Sequence, residues 1–267
     1  MHLQLNLFPG GLPKALTLSY DDGQIHDIRL AGIMDKHGIK GTFHLNSGNL
    51  GREGFLSKEE VHKVLAGHEV SAHSVSHPHL EQLPAPLAVH EMLEDRKALE
   101  QVAGYPVRGM SYPFGSYAEE LIPVLRSVGL VYSRTVHATG YFGVPADFMK
   151  WHPTCHHNDG LEQIWERFIS QPLSHSLSLC YVWGHSYEFA HQDNWELIEA
   201  FCARAGGRED VWYATNIEIY DYVTALRSLY FSADRTLAGN PSAMDVWISV
   251  NGEPLRIPAG TVQRIEV

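Results

Sequence analysis

Two groups of ligand-type residues stand out in this 267-residue sequence. Tyr20-Asp21-Asp22-Gly23 sets two carboxylates side by side, and His73-Ser74-Val75-Ser76-His77-Pro78 sets two imidazoles four residues apart. Adjacent carboxylates repel, so one resists ionisation unless a cation is close. A spacing of four brings both imidazoles to one side of the chain, and Pro78 steers His77 out of the right-handed helical region toward a strand end or loop. No Glu follows the first His, so this is not the HExxH of zinc proteases. Two His and one carboxylate form an open three-ligand site suited to Zn²⁺ or Fe²⁺, with room for water. Each group alone has an ordinary explanation. Asp and Gly are common in turns, and a chain with 17 histidines can hold an HxxxH by chance. Their conjunction carries more than either.

Two further segments join them. Ser111-Tyr112-Pro113-Phe114-Gly115 is a rigid aromatic loop whose backbone N–H groups can face a substrate, and Tyr181-Val182-Trp183-Gly184-His185 ends a strand-like run on another His. Tyr112, Phe114, Tyr117, Trp151, Trp183 and Tyr187 gather near these segments, where aromatic faces suit either a sugar ring or a core. Trp151-His152-Pro153-Thr154-Cys155-His156-His157 reads as a polar loop or lid with a second metal site as the alternative.

The elements that must position these residues alternate from about residue 14 to 229. ALTLSY (15–20), KGTFHL (40–45), HEVSAH (68–73), GMSYP (109–113), VYSRTV (131–136), LSLCYVWG (177–184) and VWYAT (211–215) read as strands with helical patterns between them. The first helix has Ile25, Ile28, Ile33 and Met34 as its apolar face and Gly38 at its end. Ser57 with Glu60, and Thr215 with Glu218, are capping boxes. The repetition predicts a parallel sheet closed into a distorted (β/α)7 barrel, with the Asp pair, the His pair and His185 at the same rim, where such barrels carry their chemistry. No Gly-rich phosphate loop follows the first strand, which weighs against an open doubly wound sheet. The organisation expected is a catalytic barrel over 1–229 and a small β appendage over 230–267, where DVWISV and EPLRI flank an Asn-Gly pair suited to a type I′ hairpin.

Composition narrows the partners. Lys and Arg total 20 against 31 Asp and Glu, a net charge of −11, so nucleic acid and anionic membranes are not expected partners. No apolar run approaches the roughly 18–20 residues that span a bilayer. The start of the chain lacks a signal-peptide pattern, so a cytoplasmic location is expected, a leader-trimmed secreted form being the alternative. Cys155, Cys180 and Cys202 have no CxxC spacing, which excludes a disulfide framework or thiolate zinc site.

SYDDG, HSVSH, SYPFG and VWGH stand in an order and spacing that resembles the polysaccharide deacetylases with a NodB homology domain, carbohydrate esterase family 4, over roughly 14–229. The resemblance implies metal-dependent removal of N- or O-acetyl groups from a saccharide. It implies Asp22, His73 and His77 as metal ligands, Asp21 as general base, His185 as general acid and the Phe114 backbone N–H as oxyanion donor. The ion implied is divalent, Zn²⁺ first, with Fe, Co, Ni or Mn as alternatives. Two other readings fit the same scaffold: an amidohydrolase cleaving a non-peptide C–N bond such as a cyclic amide, and a catalytically silent carbohydrate-binding barrel.

The sequence departs from the family pattern at three points. Ser111 stands where an arginine usually holds the base; Arg134 is the candidate substitute and Arg108 the fallback. No motif supplies the carboxylate that tunes the catalytic His, for which Asp147 and Glu218 are the candidates. Trp183 replaces an aliphatic residue of the acetyl pocket.

Overall fold

Lys14–Asp22 alternates apolar Leu16, Leu18 and Tyr20 with polar Thr17, Ser19 and Asp21, so it reads as a strand whose two faces differ in polarity. In the computed structural model, which describes residues 2–265, it is the central strand, buried from Lys14 to Asp21. The chain opens with a two-residue strand, β1 (Leu3–Gln4), before this strand, β2 (Lys14–Asp22). Then come β3 (Gly41–Leu45), β4 (Glu69–Ala72), β5 (Gly109–Ser111), β6 (Tyr132–Arg134), β7 (Cys155–His156), β8 (Ser178–Gly184) and β9 (Val211–Tyr213). The intervening helices are α1 (Asp27–Lys36), α2 (Lys58–Val64), α3 (Ala85–Ala103), α4 (Leu121–Ser127), α5 (Leu161–Ser170), α6 (Ser186–His191) and α7 (Trp195–Ala205), with α8 (Asn216–Arg227) after β9.

The expected parallel α/β barrel is present as a curled sheet in the order β6-β5-β4-β3-β2-β8-β7, with β9 beside β2. One edge of β2 pairs with β8 along Lys14–Tyr20; the other is shared, Lys14–Leu16 with β9 and Leu18–Asp22 with β3. The seventh position on the path therefore belongs to β7, and 211–215, read from the sequence as a full barrel strand, contributes a short one at the far end of β2. Trp151-His152-Pro153-Thr154-Cys155-His156-His157 is not a lid or polar loop. Its first residue bridges Arg134 in parallel, the Trp151 N–H donating to Ser133 O at 3.0 Å and the Thr135 N–H to Trp151 O at 3.0 Å. Four residues on, Cys155 and His156 pair with Val182 and Trp183 of β8. This stretch joins the two free edges of the curled sheet.

Local signals set the helix ends. Both capping boxes form, Ser57 with Glu60 and Thr215 with Glu218, and Gly104 ends α3 at φ 78, a backbone angle with little steric cost for glycine. The face of α1 differs from expectation. It starts only at Asp27 and buries Leu30, Ala31, Ile33 and Met34, while Ile25 and Ile28 remain 37% exposed. The three cysteines are free and buried.

The last segment forms β10 (Tyr230–Phe231), β11 (Leu237–Gly239), β12 (Val246–Val250), β13 (Glu253–Ile257) and β14 (Val262–Arg264). The β12–β13 hairpin turns at Asn251 (φ 52) and Gly252 (φ 92), the two positive angles a type I′ turn needs. β1 pairs with β12, so the first strand of the chain joins the β12–β13 hairpin in one sheet, while β10, β11 and β14 form another. Val246, Ile248 and Ile257 pack with Ala15, Trp151 and Tyr181 of the barrel and with Ile219 and Val223 of α8 in one apolar cluster. Among the described residues no helix is long and apolar enough to cross a membrane.

Candidate active site at the strand ends

Parallel pairing puts the C-terminal ends of the barrel strands at one rim, and the residues singled out in the sequence lie there. Asp21 and Asp22 end β2, His73 follows β4, Ser111 ends β5, Arg134 ends β6 and His185 follows β8. The backbone at this rim is bent. Asp22 (φ 82), Ser74 (φ 66), His77 (φ 57) and Phe114 (φ 58) are four of the seven non-glycine residues with positive φ among those described. Such conformations cost of order 1–3 kcal/mol each and cluster at functional sites. Pro78 does keep His77 out of the right-handed helical region, but the result is left-handed rather than extended backbone.

The carboxylate of Asp22 and the imidazoles of His73 and His77 converge, their ligand atoms all within 4.8 Å of one another. Both Nε2 atoms lie near Asp22 Oδ1, His73 at 3.7 Å and His77 at 3.8 Å. These separations are too wide for hydrogen bonds. They exceed by a few tenths of an ångström the roughly 3.3 Å between ligand atoms around a tetrahedral ion with bonds of about 2.0–2.1 Å. The donor set fits a divalent cation: one carboxylate and two imidazoles gathered within a few ångströms, with no hydrogen bond among themselves. The tautomers agree. The Nδ1–H of His73 donates to Ser111 O at 2.9 Å, leaving Nε2 for a ligand. Burial, and then the neighbouring His73, lower the His77 pKa and keep that ring neutral. Asp95 holds the His73 loop from behind, its two oxygens accepting the N–H groups of His73 at 3.0 Å and Ser47 at 2.8 Å. Burial pushes its carboxyl up to about 7 against the pull of those donors.

Asp21 belongs to a different set of contacts. Its Oδ2 accepts from Arg134 Nη2 and its Oδ1 from Ser111 Oγ at 3.1 Å. Burial alone favours the neutral acid, but Arg134, and after it His73, hold the carboxyl well below the usual carboxylate range. Arg134 is fully buried, with its guanidinium over the Trp183 ring at 4.6 Å. Arg108 pairs elsewhere, with Asp221 at 2.5 Å on the outside of the barrel.

His185 is the N-cap of α6, and its partner is Glu188, whose Oε1 lies 2.8 Å from His185 Nδ1. Burial lowers the imidazole pKa, but the Glu188 bond, and then Asp21 and Asp22, outweigh it and raise the net value. Neither carboxylate expected from the sequence takes this place. Asp147 caps a single turn at Met149 and pairs with Arg126; Glu218 caps α8 and pairs with Lys40. Glu188 was legible only as the third residue after His185, on a helix too short to be read as one. The Glu188 Oε2 atom meets two more imidazoles, those of His156 and His157 from the β7 segment.

The aromatic residues divide. Tyr112 and Trp151 are sealed in the core, and Trp183 is nearly so beneath Arg134. Phe114 is 54% exposed beside the metal-ligand loop, its ring 4.4 Å from that of His77 and stacked at 4.0 Å on His79. Tyr187 lies beside His185, ring centroids 5.1 Å apart.

Residues 10–133 match the polysaccharide deacetylase family, a stretch that includes SYDDG, HSVSH and SYPFG. The peptidoglycan-N-acetylglucosamine deacetylase PgdA of Listeria monocytogenes is 28% identical over 121 residues, 42% of this chain and 25% of that protein. The chain spans less than half the length of the curated relatives it matches. Among solved structures, a polysaccharide-deacetylase-like protein of Mycobacterium smegmatis aligns over 82% of this chain and 93% of its own at a TM-score of 0.61 and 18% identity. Puue allantoinase aligns over 81% and 92% at 0.60 and 13%. At such identities the likeness is one of fold.

Proposed function

We propose, on the premise that residues 10–133 form a polysaccharide deacetylase domain, that the protein is a metal-dependent hydrolase removing acetyl groups from a saccharide. The observation that carries this reading is the Asp22–His73–His77 convergence beside an ionised, arginine-held Asp21. A divalent ion held by those three residues supplies Lewis acidity, which lowers the pKa of water toward about 7 and offsets charge on a carbonyl oxygen.

This chain's own residues do the rest. Asp21 stays ionised at neutral pH and takes a proton at its carboxylate as water attacks the acetyl carbonyl. Arg134 and Ser111 fix that carboxylate in place, so its geometry needs no rearrangement during the reaction. His185, protonated at Nε2 and held through Nδ1 by Glu188, gives its proton to the departing amine or alkoxide. The Phe114 backbone N–H sits on the left-handed turn beside His77 and serves as the oxyanion donor. The exposed ring of Phe114 and the half-buried ring of Tyr187 offer faces for a sugar. Positioned acids and bases contribute about 10²–10⁴-fold each.

The test is acetate release across chitooligosaccharides, acetylxylan and acetylated peptidoglycan fragments, before and after chelation. Chelator-sensitive release from at least one of them is expected. Failure on all, or release that survives complete metal removal, overturns the reading. Turnover of a cyclic amide in place of these substrates transfers the site to the amidohydrolases.

A further inference from the structure

Glu188 has a second face that the proposed reaction does not use. Its Oε1 is committed to His185, but its Oε2 lies 3.1 Å from His156 Nε2 and 3.0 Å from His157 Nε2. Those distances are short enough for hydrogen bonds, yet neither ring N–H is aligned for one. His157 is fully buried, between Tyr20 and Phe189, and both of its ring nitrogens lack a partner. An unpartnered buried imidazole is costly, so its contact with Glu188 calls for a third body.

Two nitrogens crowding one oxygen without hydrogen-bonding to it is an arrangement that a shared cation would relieve. Around a tetrahedral ion with bonds of about 2.0–2.2 Å, neighbouring ligand atoms sit roughly 3.3–3.6 Å apart, a few tenths of an ångström more than the two N···O separations here. The three ligand atoms all lie within 4.8 Å of one another. They come from rigid places: His156 ends β7, His157 is pinned where its N–H meets Trp183 O at 2.9 Å, and Glu188 lies one turn into α6. Gly184 leaves the space that the His157 ring occupies; a Cβ there would fall 2.0 Å from its Nδ1. Ligation through Nε2 moves the His156 proton to Nδ1 and gives up the 3.2 Å bond that this atom now accepts from the Asn158 N–H. That exchange makes the site weaker than one built on prearranged tautomers.

We propose that His156, His157 and Glu188 form a second divalent-cation site, separate from Asp22, His73 and His77 and suited to Zn²⁺ or a similar borderline ion. Binding there requires nothing of the proposed reaction. Its effect on turnover rests on that reading: an ion on Oε2 draws the Glu188 charge away from His185, so excess cation lowers the rate.

The experiment titrates the metal-free full chain with Zn²⁺ by calorimetry and with Co²⁺ by visible absorption, which reports nitrogen and oxygen ligation directly. Two equivalents are expected. A chain carrying Asp22→Asn and His77→Ala retains one, and adding either His156→Ala or Glu188→Gln to it removes that one. Glu188→Gln keeps the side chain's shape, so it tests the site even where His156→Ala perturbs β7. A single equivalent in the unaltered chain, or uptake that survives Glu188→Gln in the background lacking the first site, overturns the inference. Two bound ions with no acetate release from any saccharide leave the second site standing and remove only the proposed reaction.

Discussion

Ser111 and Arg134 are register partners on neighbouring parallel strands, and both side chains end on the carboxylate of Asp21. The arginine that the deacetylase pattern leads one to expect at 111 is supplied one strand over. Neighbouring strands lie about 4.8 Å apart, a distance that a side chain of arginine's length spans. The smaller Ser111 then serves two neighbours at once, since its hydroxyl donates to Asp21 and its carbonyl accepts from the His73 ring.

Removing Arg134 therefore differs sharply from removing Arg108. Arg134→Ala strands a buried carboxylate, a class of change that costs about 3–5 kcal/mol, and it takes away what keeps Asp21 ionised. Loss of acetate release together with a large drop in melting temperature is expected. Arg108→Ala breaks a half-exposed pair worth about 0–1 kcal/mol and should leave both unchanged. Parallel kinetics and thermal melts decide the matter; activity lost in the Arg108 variant alone reverses the assignment.

The Asp22, His73 and His77 atoms repel or ignore one another in the absence of a cation, so binding one should stabilise the fold. A ligand at a hundredfold its Kd contributes about 2.7 kcal/mol. Zn²⁺ added to the metal-free chain is expected to raise the melting temperature, and Asp22→Asn to remove most of that rise. An equal rise in wild type and variant would place the stabilising ion elsewhere.

Glu188 offers a kinetic signature. Because its bond raises the His185 pKa against the effect of burial, Glu188→Gln should move the alkaline limb of the kcat profile to lower pH. At the acid end the variant should recover part of the lost rate. A uniform drop at every pH, with no shift of the limb, would assign Glu188 a structural role only.

Asp27, the first residue of α1, is fully buried with both carboxylate oxygens unpartnered. Burial pushes it up to about 8, opposed by nearby Ser186 and assisted by Asp22. A carboxyl raised in the folded state holds a proton there that the unfolded chain has already released above about pH 4. Its contribution is thus fully favourable below about pH 4 and declines as pH rises through about 8. Asp27→Asn should flatten this decline, with the variant melting higher than wild type at pH 8–9 and the two converging near pH 4. Melting curves of the metal-free proteins across that range provide the check, and parallel curves would refute it.

Much of this arrangement could be read from residue order. Strand-like runs ending on Asp21-Asp22, His73 and His185 already place ligands and acid at one rim, because parallel strands share a direction. The Asn251-Gly252 turn and both capping boxes are local enough to be written in a few residues. What escaped reading depends on contacts between distant segments. β7 has only two residues and no apolar pattern, so its identity as a strand comes from β8, while Trp151, four residues before it, bridges Arg134. Glu188 gains its role only once His185 caps a six-residue helix. Ile25 and Ile28 fit a helical face on paper, but the helix starts after the first of them and turns the second outward.

The seam of the barrel gives these contacts a mechanical meaning. The curled sheet meets itself through Trp151, whose partner across the joint is Arg134. The residue that clasps the cylinder shut by its backbone is the one whose side chain anchors Asp21. Opening of the joint between Trp151 and Ser133 and Thr135 leaves Arg134 held on its β5 side alone, and is expected to loosen the guanidinium from its carboxylate. Exchange of the Trp151 and Thr135 amides with solvent would report how often the joint opens.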